Sequence, residues 1–285
     1  MKIQSLSVCV PCSCPNNCRF CVSKLHRGIK YENLEDEALF WLAFEKRMEF
    51  ARDNGCNTLM LTGEGEPITN MPFINSVFIE NKTIRSPFKW IELQTSGVGL
   101  TDKILSDLYN GGVTTISLSV AAPYDYANRN YMRIKEHKLF TIKNACKRIK
   151  NHGFNLRLSL NLTNAWDKMT PKQIFEWAKK LKADQVTFRL LYCEKNKDHV
   201  VNRWINKHAV LQSKLDEIED YVMRYGTPLE ILPHGAQRYS VKNISTVVDA
   251  DCMSKDIACD ALKYLILRSD GHLYTQWDCK GSRLF

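Results

Sequence analysis

Short apolar, β-branched runs alternate along this chain with stretches whose apolar residues recur every three or four positions. That alternation predicts repeated strand–helix units. "SLSVCV" (Ser5 to Val10) reads as the first strand, followed by a cysteine-rich loop. Asn33 then caps a helix whose first turn carries Glu35, Asp36 and Glu37; Trp41, Phe44, Met48 and Ala51 share one face and Gly55 ends it. "TLMLT" is the second strand and "WIELQT" (Trp90 to Thr95) the third. Thr101 opens a helix burying Ile104, Leu105 and Leu108, which stops at Gly111 and Gly112. "TTISLSV" makes strand four, Ile142, Ala145, Cys146 and Ile149 mark the next helix, and "FNLRLSLNL" (Phe154 to Leu162) is strand five. Thr170, Pro171 and Gln173 form a capping box ahead of Ile174, Trp177, Ala178 and Leu181, and "QVTFRLLY" completes strand six.

Six βα units in succession predict an α/β fold, a parallel sheet curled into a partial (β/α)6 barrel, because such crossovers keep one hand. The loops after the strands then gather at one mouth, where ligands bind. After residue 195 the rhythm changes: a helix over Trp204 to Arg224, short strands, and a hairpin turning at Asp270 and Gly271. The expected division is a barrel core over 1–195 and a small C-terminal α+β extension over 196–285.

Length and composition agree. With 285 residues and 44% hydrophobic content the chain can bury one large core. No apolar run reaches the roughly 18 residues needed to span a bilayer and no secretory signal is visible, so the expectation is a soluble cytoplasmic protein without a membrane partner. The net charge of +9 is scattered among acids rather than gathered in a stripe, which disfavours nucleic acid and leaves an anionic small molecule compatible. Eleven cysteines, an odd number without an export signal, argue for metal or catalysis rather than disulfides.

Four of those cysteines fall in "CSCPNNCRFCVSK" (residues 12–24). Cys14, Cys18 and Cys21, at spacing CxxxCxxC, can turn three thiolates toward one point. Three protein ligands leave one iron of a cubane cluster open, whereas a structural zinc site asks for a fourth ligand, which Cys9, Cys12 or His26 would supply. The second notable segment, "LTGEGEP" (Leu61 to Pro67), follows strand two; its glycines allow close backbone approach to a ligand, and Glu66 offers an acceptor for an ammonium group.

CxxxCxxC with Phe20 before the last cysteine resembles the cluster motif of the radical S-adenosylmethionine (radical SAM) superfamily, and "GEGEP" resembles its GGEP-like segment, with Glu64 inserted between the glycines. The likeness covers Ser5 to Tyr192 and is closest in flavour to the branch holding the GTP cyclase of molybdenum-cofactor synthesis and the peptide-modifying (SPASM-type) enzymes. That cyclase ends in a double glycine, whereas this chain ends "GSRLF", so its particular reaction does not carry over.

The resemblance implies a 4Fe-4S cluster on Cys14, Cys18 and Cys21 whose fourth iron is chelated by S-adenosylmethionine. Reductive cleavage then gives a 5'-deoxyadenosyl radical that abstracts hydrogen from a substrate. It further implies cofactor-binding roles for Phe20, Gly63, Glu64, Gly65, Glu66, Thr95, Ser119, Asn161 and Arg189, with Ser119 near the ribose and Asn161 and Arg189 around the ribose, carboxylate or adenine. A flavodoxin- or ferredoxin-type electron donor is the implied partner. Relatives often carry an auxiliary iron–sulfur cluster near the C-terminus; Cys252, Cys259 and Cys279 are the candidates, at a spacing that departs from the family's patterns.

The substrate is not legible beyond a small molecule, nucleotide or peptide. Strand one begins at Ser5, which leaves no room ahead of it for a leader-binding domain and favours the first two. Tyr192, Arg203, Trp204, Tyr274, Trp277 and Arg283 are late-chain contact candidates, with packing as the alternative for the aromatics. No histidine pair at ligand spacing, nucleophile motif or GxxxxGK loop occurs. An iron–sulfur electron carrier would explain the cysteines without the GEGEP segment. A zinc-dependent nucleic-acid-binding protein would explain cysteines and charge without any basic helix.

Overall fold

The computed structural model describes residues 2–25, 37–63, 65–135, 140–194, 198–233, 235–249, 261–277 and 280–285. Asn33, Glu35 and Asp36, and the auxiliary-cluster candidates Cys252, Cys259 and Cys279, lie outside them. In chain order the elements are β1 (Lys2–Val10), α1 (Glu37–Asp53), β2 (Thr58–Gly63), α2 (Met71–Thr83), β3 (Trp90–Thr95), α3 (Asp102–Asn110), β4 (Thr115–Val120) and α4 (Asp125–Met132). Then come α5 (Ile142–Asn151), β5 (Asn155–Asn161), α6 (Pro171–Lys180), β6 (Gln185–Arg189), α7 (Val200–His208) and α8 (Gln212–Tyr225). The last five are β7 (Thr227–Ile231), β8 (Gln237–Val241), β9 (Ile244–Asp249), β10 (Ala261–Leu267) and β11 (Leu273–Tyr274).

Local signals account for most of these boundaries. The Thr101 and Thr141 hydroxyls accept from the backbone N–H three residues on, and Thr170 and Gln173 close a reciprocal capping box. Gly55 closes the turn that ends α1 at a φ of 94°, which a side chain would strain. Two helices have no counterpart in the sequence reading: α2, started by the Asn70 side chain accepting from Phe73 N–H, and α4. The helix expected over Trp204 to Arg224 is interrupted between α7 and α8, because Ala209 leaves the helix to bridge Thr163 and the Val210 N–H donates to the Leu162 carbonyl. The turn at Asp270 and Gly271 joins antiparallel β10 and β11, as the pattern predicted.

All eleven strands share one sheet, ordered β11-β10-β1-β2-β3-β4-β5-β6-β9-β8-β7. β1 to β6 pair in parallel and in sequence. The residues beyond 195 extend this run at both edges, β10 beside β1 and β9 beside β6, each also parallel. Seven inter-strand steps separate β10 from β9, about 34 Å in a flat sheet, yet Lys263 Nζ lies 2.6 Å from Asp249 Oδ1. The sheet is therefore curled, and a buried ion pair spans its opening.

The two faces differ in chemistry. Leu59, Leu61, Ile91, Leu93, Ile116 and Leu158 join Phe44, Met48, Ile74, Leu105 and Ile149 of the helices in one apolar core. The other face is polar: Glu92 on β3 receives a hydrogen bond from Arg157 on β5 at 2.8 Å, and Arg157 also donates to Gln185 on β6 at 2.9 Å. Among the described residues no helix is long and apolar enough to cross a membrane.

Candidate active site

The loop after β1 is pinned from two sides. On one, Glu66 N–H donates to the Ser13 carbonyl at 2.8 Å and Asn70 Nδ2 to the Pro11 carbonyl at 2.7 Å. On the other, Asn17 and Arg19 N–H donate to the Met132 and Tyr131 carbonyls at the end of α4, at 3.2 and 3.3 Å. Within the loop, the Lys24 ammonium donates to the Asn17 and Cys18 carbonyls.

Gly63 and Gly65 make the first of these contacts sterically feasible. A Cβ on Gly65 would lie 2.4 Å from the Ser13 carbonyl oxygen, and one on Gly63 would lie 2.7 Å from Cys12 Sγ and 2.8 Å from the Val10 oxygen. In the structure, then, these glycines serve a close approach between two loops.

Glu66 is 2% exposed. Its carboxylate accepts from Thr95 Oγ1 at 2.6 Å, Ser96 N–H at 2.8 Å and Ser96 Oγ at 2.6 Å, tying the end of β2 to the end of β3. Burial raises its pKa, and the hydrogen bonds from Ser96 and Thr95 pull the other way.

Cys14 is exposed while Cys18 and Cys21 are half-buried. Burial, then Cys21 and Cys14, push the Cys18 thiol well up. Burial also raises Cys14, opposed by a hydrogen bond from the Asn16 backbone, with smaller upward contributions from Glu66 and Cys21. Two thiols raised by burial and by their cysteine neighbours suit a cationic metal group, whose charge favours the thiolate. Among the described residues no three His, Cys, Asp or Glu side chains are grouped to hold a single metal ion. A single ion needs every donor within about 2.0–2.3 Å of one point. A 4Fe-4S cluster binds each thiolate through a different iron, so three cysteines are enough to hold it, whereas a structural zinc site asks for four ligands.

A cavity of about 330 Å³ opens at this mouth. Cys14, Cys18, Phe20, Cys21, Gly63, Gly65 and Glu66 line it together with Thr95, Ser119, Asn161 and Arg189 from the ends of β3 to β6. Glu64 lies outside the described residues. Phe20 also packs, at a ring-centroid distance of 6.0 Å, on Trp204 of α7. Arg189 lies 4.0 Å from Asp249.

The sequence reading missed Asn16, Ser96, Met132 and Leu191 as lining residues. Ser96, next to Thr95, was within reach of the motif, whereas Met132 arrives on a helix with no pattern of its own. Of the late-chain candidates, Tyr192 lines the cavity. Trp204 packs on the cysteine loop, Tyr274 donates to Asp270 at 2.8 Å, and Arg203 pairs with Asp198 at 2.6 Å.

A sequence profile described as "Radical SAM superfamily" matches residues 8–181, more than half of the chain. Among solved structures, SuiB of Streptococcus suis bound to its precursor peptide SuiA is 15% identical with a TM-score of 0.58, over 95% of this chain and 59% of SuiB. The anSMEcpe protein with bound AdoMet is 12% identical with a TM-score of 0.66, over 99% of this chain and 77% of that one. Coproporphyrinogen III oxidase (HemN) of Escherichia coli, described as a radical SAM enzyme, is 15% identical with a TM-score of 0.54, over 79% of this chain and 54% of HemN. Identities this low show a shared fold, and the chain spans under two thirds of SuiB and HemN. The profile match goes further: this chain belongs to the radical SAM superfamily, whose enzymes use a 4Fe-4S cluster and S-adenosylmethionine.

Proposed function

We propose that Cys14, Cys18 and Cys21 hold the cluster and that the adjoining cavity receives S-adenosylmethionine. The observation carrying this reading is that the cysteine loop, the glycine turn and four strand ends converge on one cavity. When bound, the cluster supplies one electron to the sulfonium, releasing a 5'-deoxyadenosyl radical that abstracts hydrogen from the substrate.

This chain's residues do the positioning. Glu66, held by Thr95 and Ser96, sets the backbone of Gly63 and Gly65 against the cysteine loop, where the methionine end of the cosubstrate would sit. Ser119 and Asn161 present polar groups for the ribose, and Arg189 a cation for a carboxylate or the adenine edge. Met132, Leu190 and Leu191 line the same space with apolar surface that excludes water. Residues 1–195 form the catalytic core, and 196–285 an extension whose α7 braces the cysteine loop.

A flavodoxin- or ferredoxin-type donor would approach where Cys14 is exposed, and the net charge of +9 suits an acidic partner. The substrate is a small molecule or peptide entering by the same mouth. The likeness to SuiB, solved with a precursor peptide, favours the peptide.

Anaerobic reconstitution with iron and sulfide, reduction, and addition of S-adenosylmethionine tests the reading. The expected outcome is a brown protein that yields 5'-deoxyadenosine, with the yield abolished in Cys18→Ala. A brown wild-type protein that cleaves nothing is an electron carrier, and one taking up no iron refutes the cluster.

A further inference from the structure

Asn16 stands midway between Cys14 and Cys18, is 7% exposed and lines the cavity. Neither its carboxamide nitrogen nor its carboxamide oxygen has a hydrogen-bond partner. The backbone around it is engaged: its own N–H donates to Cys14, and the neighbouring Asn17 N–H donates to the Met132 carbonyl at 3.2 Å.

An unmet buried polar atom costs stability, and native structures contain few. Such a carboxamide, set in a ligand cavity between two cysteines, is arranged for a group that enters the cavity. Resting on the cluster reading above, we propose that the Asn16 side chain is a contact to that cluster, its Nδ2–H donating to a thiolate or sulfide sulfur. Hydrogen bonds to cluster sulfurs withdraw negative charge and favour the reduced state, raising the reduction potential. Asn16 thus makes the cluster easier to reduce, a role separate from ligating iron.

The test compares the wild type with Asn16→Leu, which removes both polar atoms at similar volume, and Asn16→Asp, which replaces the donor with negative charge. Midpoint potentials come from redox titration of the reconstituted proteins followed by electron paramagnetic resonance, and melting temperatures from the metal-free proteins. The expected result is a lower potential in both variants. For Asn16→Leu the reduction equilibrium falls about tenfold, or about 59 mV for a one-electron couple, and Asn16→Asp falls further. Metal-free Asn16→Leu melts at or above the wild-type temperature, since it sheds two unmet polar atoms. A variant that melts so but takes up no cluster also supports the contact.

Wild-type potentials in both variants overturn the inference, as does a lowered melting temperature of metal-free Asn16→Leu, which would assign Asn16 to the fold. A wild-type protein that takes up no cluster refutes the proposed function instead, and this contact with it.

Discussion

Gly65 illustrates how one missing side chain sets the site. A Cβ there would meet the Ser13 carbonyl oxygen at 2.4 Å, and that oxygen is the acceptor for Glu66 N–H. Gly65→Ala must therefore push the glycine turn off the cysteine loop. The expected cost is about 1–3 kcal/mol, as for other overpacked sites, measured by chemical denaturation, with iron uptake falling more steeply than stability. An alanine variant with wild-type stability and iron content would show that the loops have slack. The sequence pointed to these glycines through their motif and suggested a ligand as the reason for them. The contact they serve lies about fifty residues away in the chain, and no local pattern encodes it. Glu66 was read as an open acceptor, whereas its carboxylate already takes three hydrogen bonds from Thr95 and Ser96.

At the scale of elements, the cysteine loop is held by α4 and α7, neither of which carries a cysteine. The end of α4 accepts two of its N–H groups, and α7 sets Trp204 against Phe20 within a small apolar cluster that includes Leu25, Met132, Val201 and Ile205. Trp204→Ala removes an aromatic pair worth about 0.5–1.5 kcal/mol beyond the buried area. The expected outcome is a modest drop in melting temperature with a larger loss of reconstituted iron. Equal losses in both would mean that α7 serves stability alone. The helices at Thr101 and Thr170 were readable because a cap and an apolar stripe sit within a few residues of one another, and α5 by its stripe alone. α4 was not readable: its polar sequence DYANRNYM has only Asn128 and Met132 buried, so its position depends on what it packs against.

For the whole molecule the decisive contact is between Lys263 and Asp249, 4% and 5% exposed, which links β10 to β9 across the opening of the curled sheet. Truncating one partner leaves a buried charge without its counter-ion, costing about 3–5 kcal/mol, whereas replacing both with apolar residues of similar volume is often neutral. Asp249→Ala should therefore destabilise strongly, and the double change Asp249→Leu with Lys263→Met should recover most of the loss in a denaturant titration. A double variant as unstable as the single one would argue that the charges are needed for more than closure, and Arg189, 4.0 Å from Asp249, is the group to examine next. By itself the sequence determined the six parallel strands, the helix caps at Thr101 and Thr170 and the three-cysteine loop, because periodicity, capping and cysteine spacing are all local. The tertiary structure alone decided that β9 and β10 extend the sheet at both edges, that α4 and α7 clamp the cysteine loop, and that the Asn16 carboxamide is buried with nothing to bond. Those outcomes depend on segments distant in the chain meeting in space, and a residue's neighbours in sequence carry no record of such meetings.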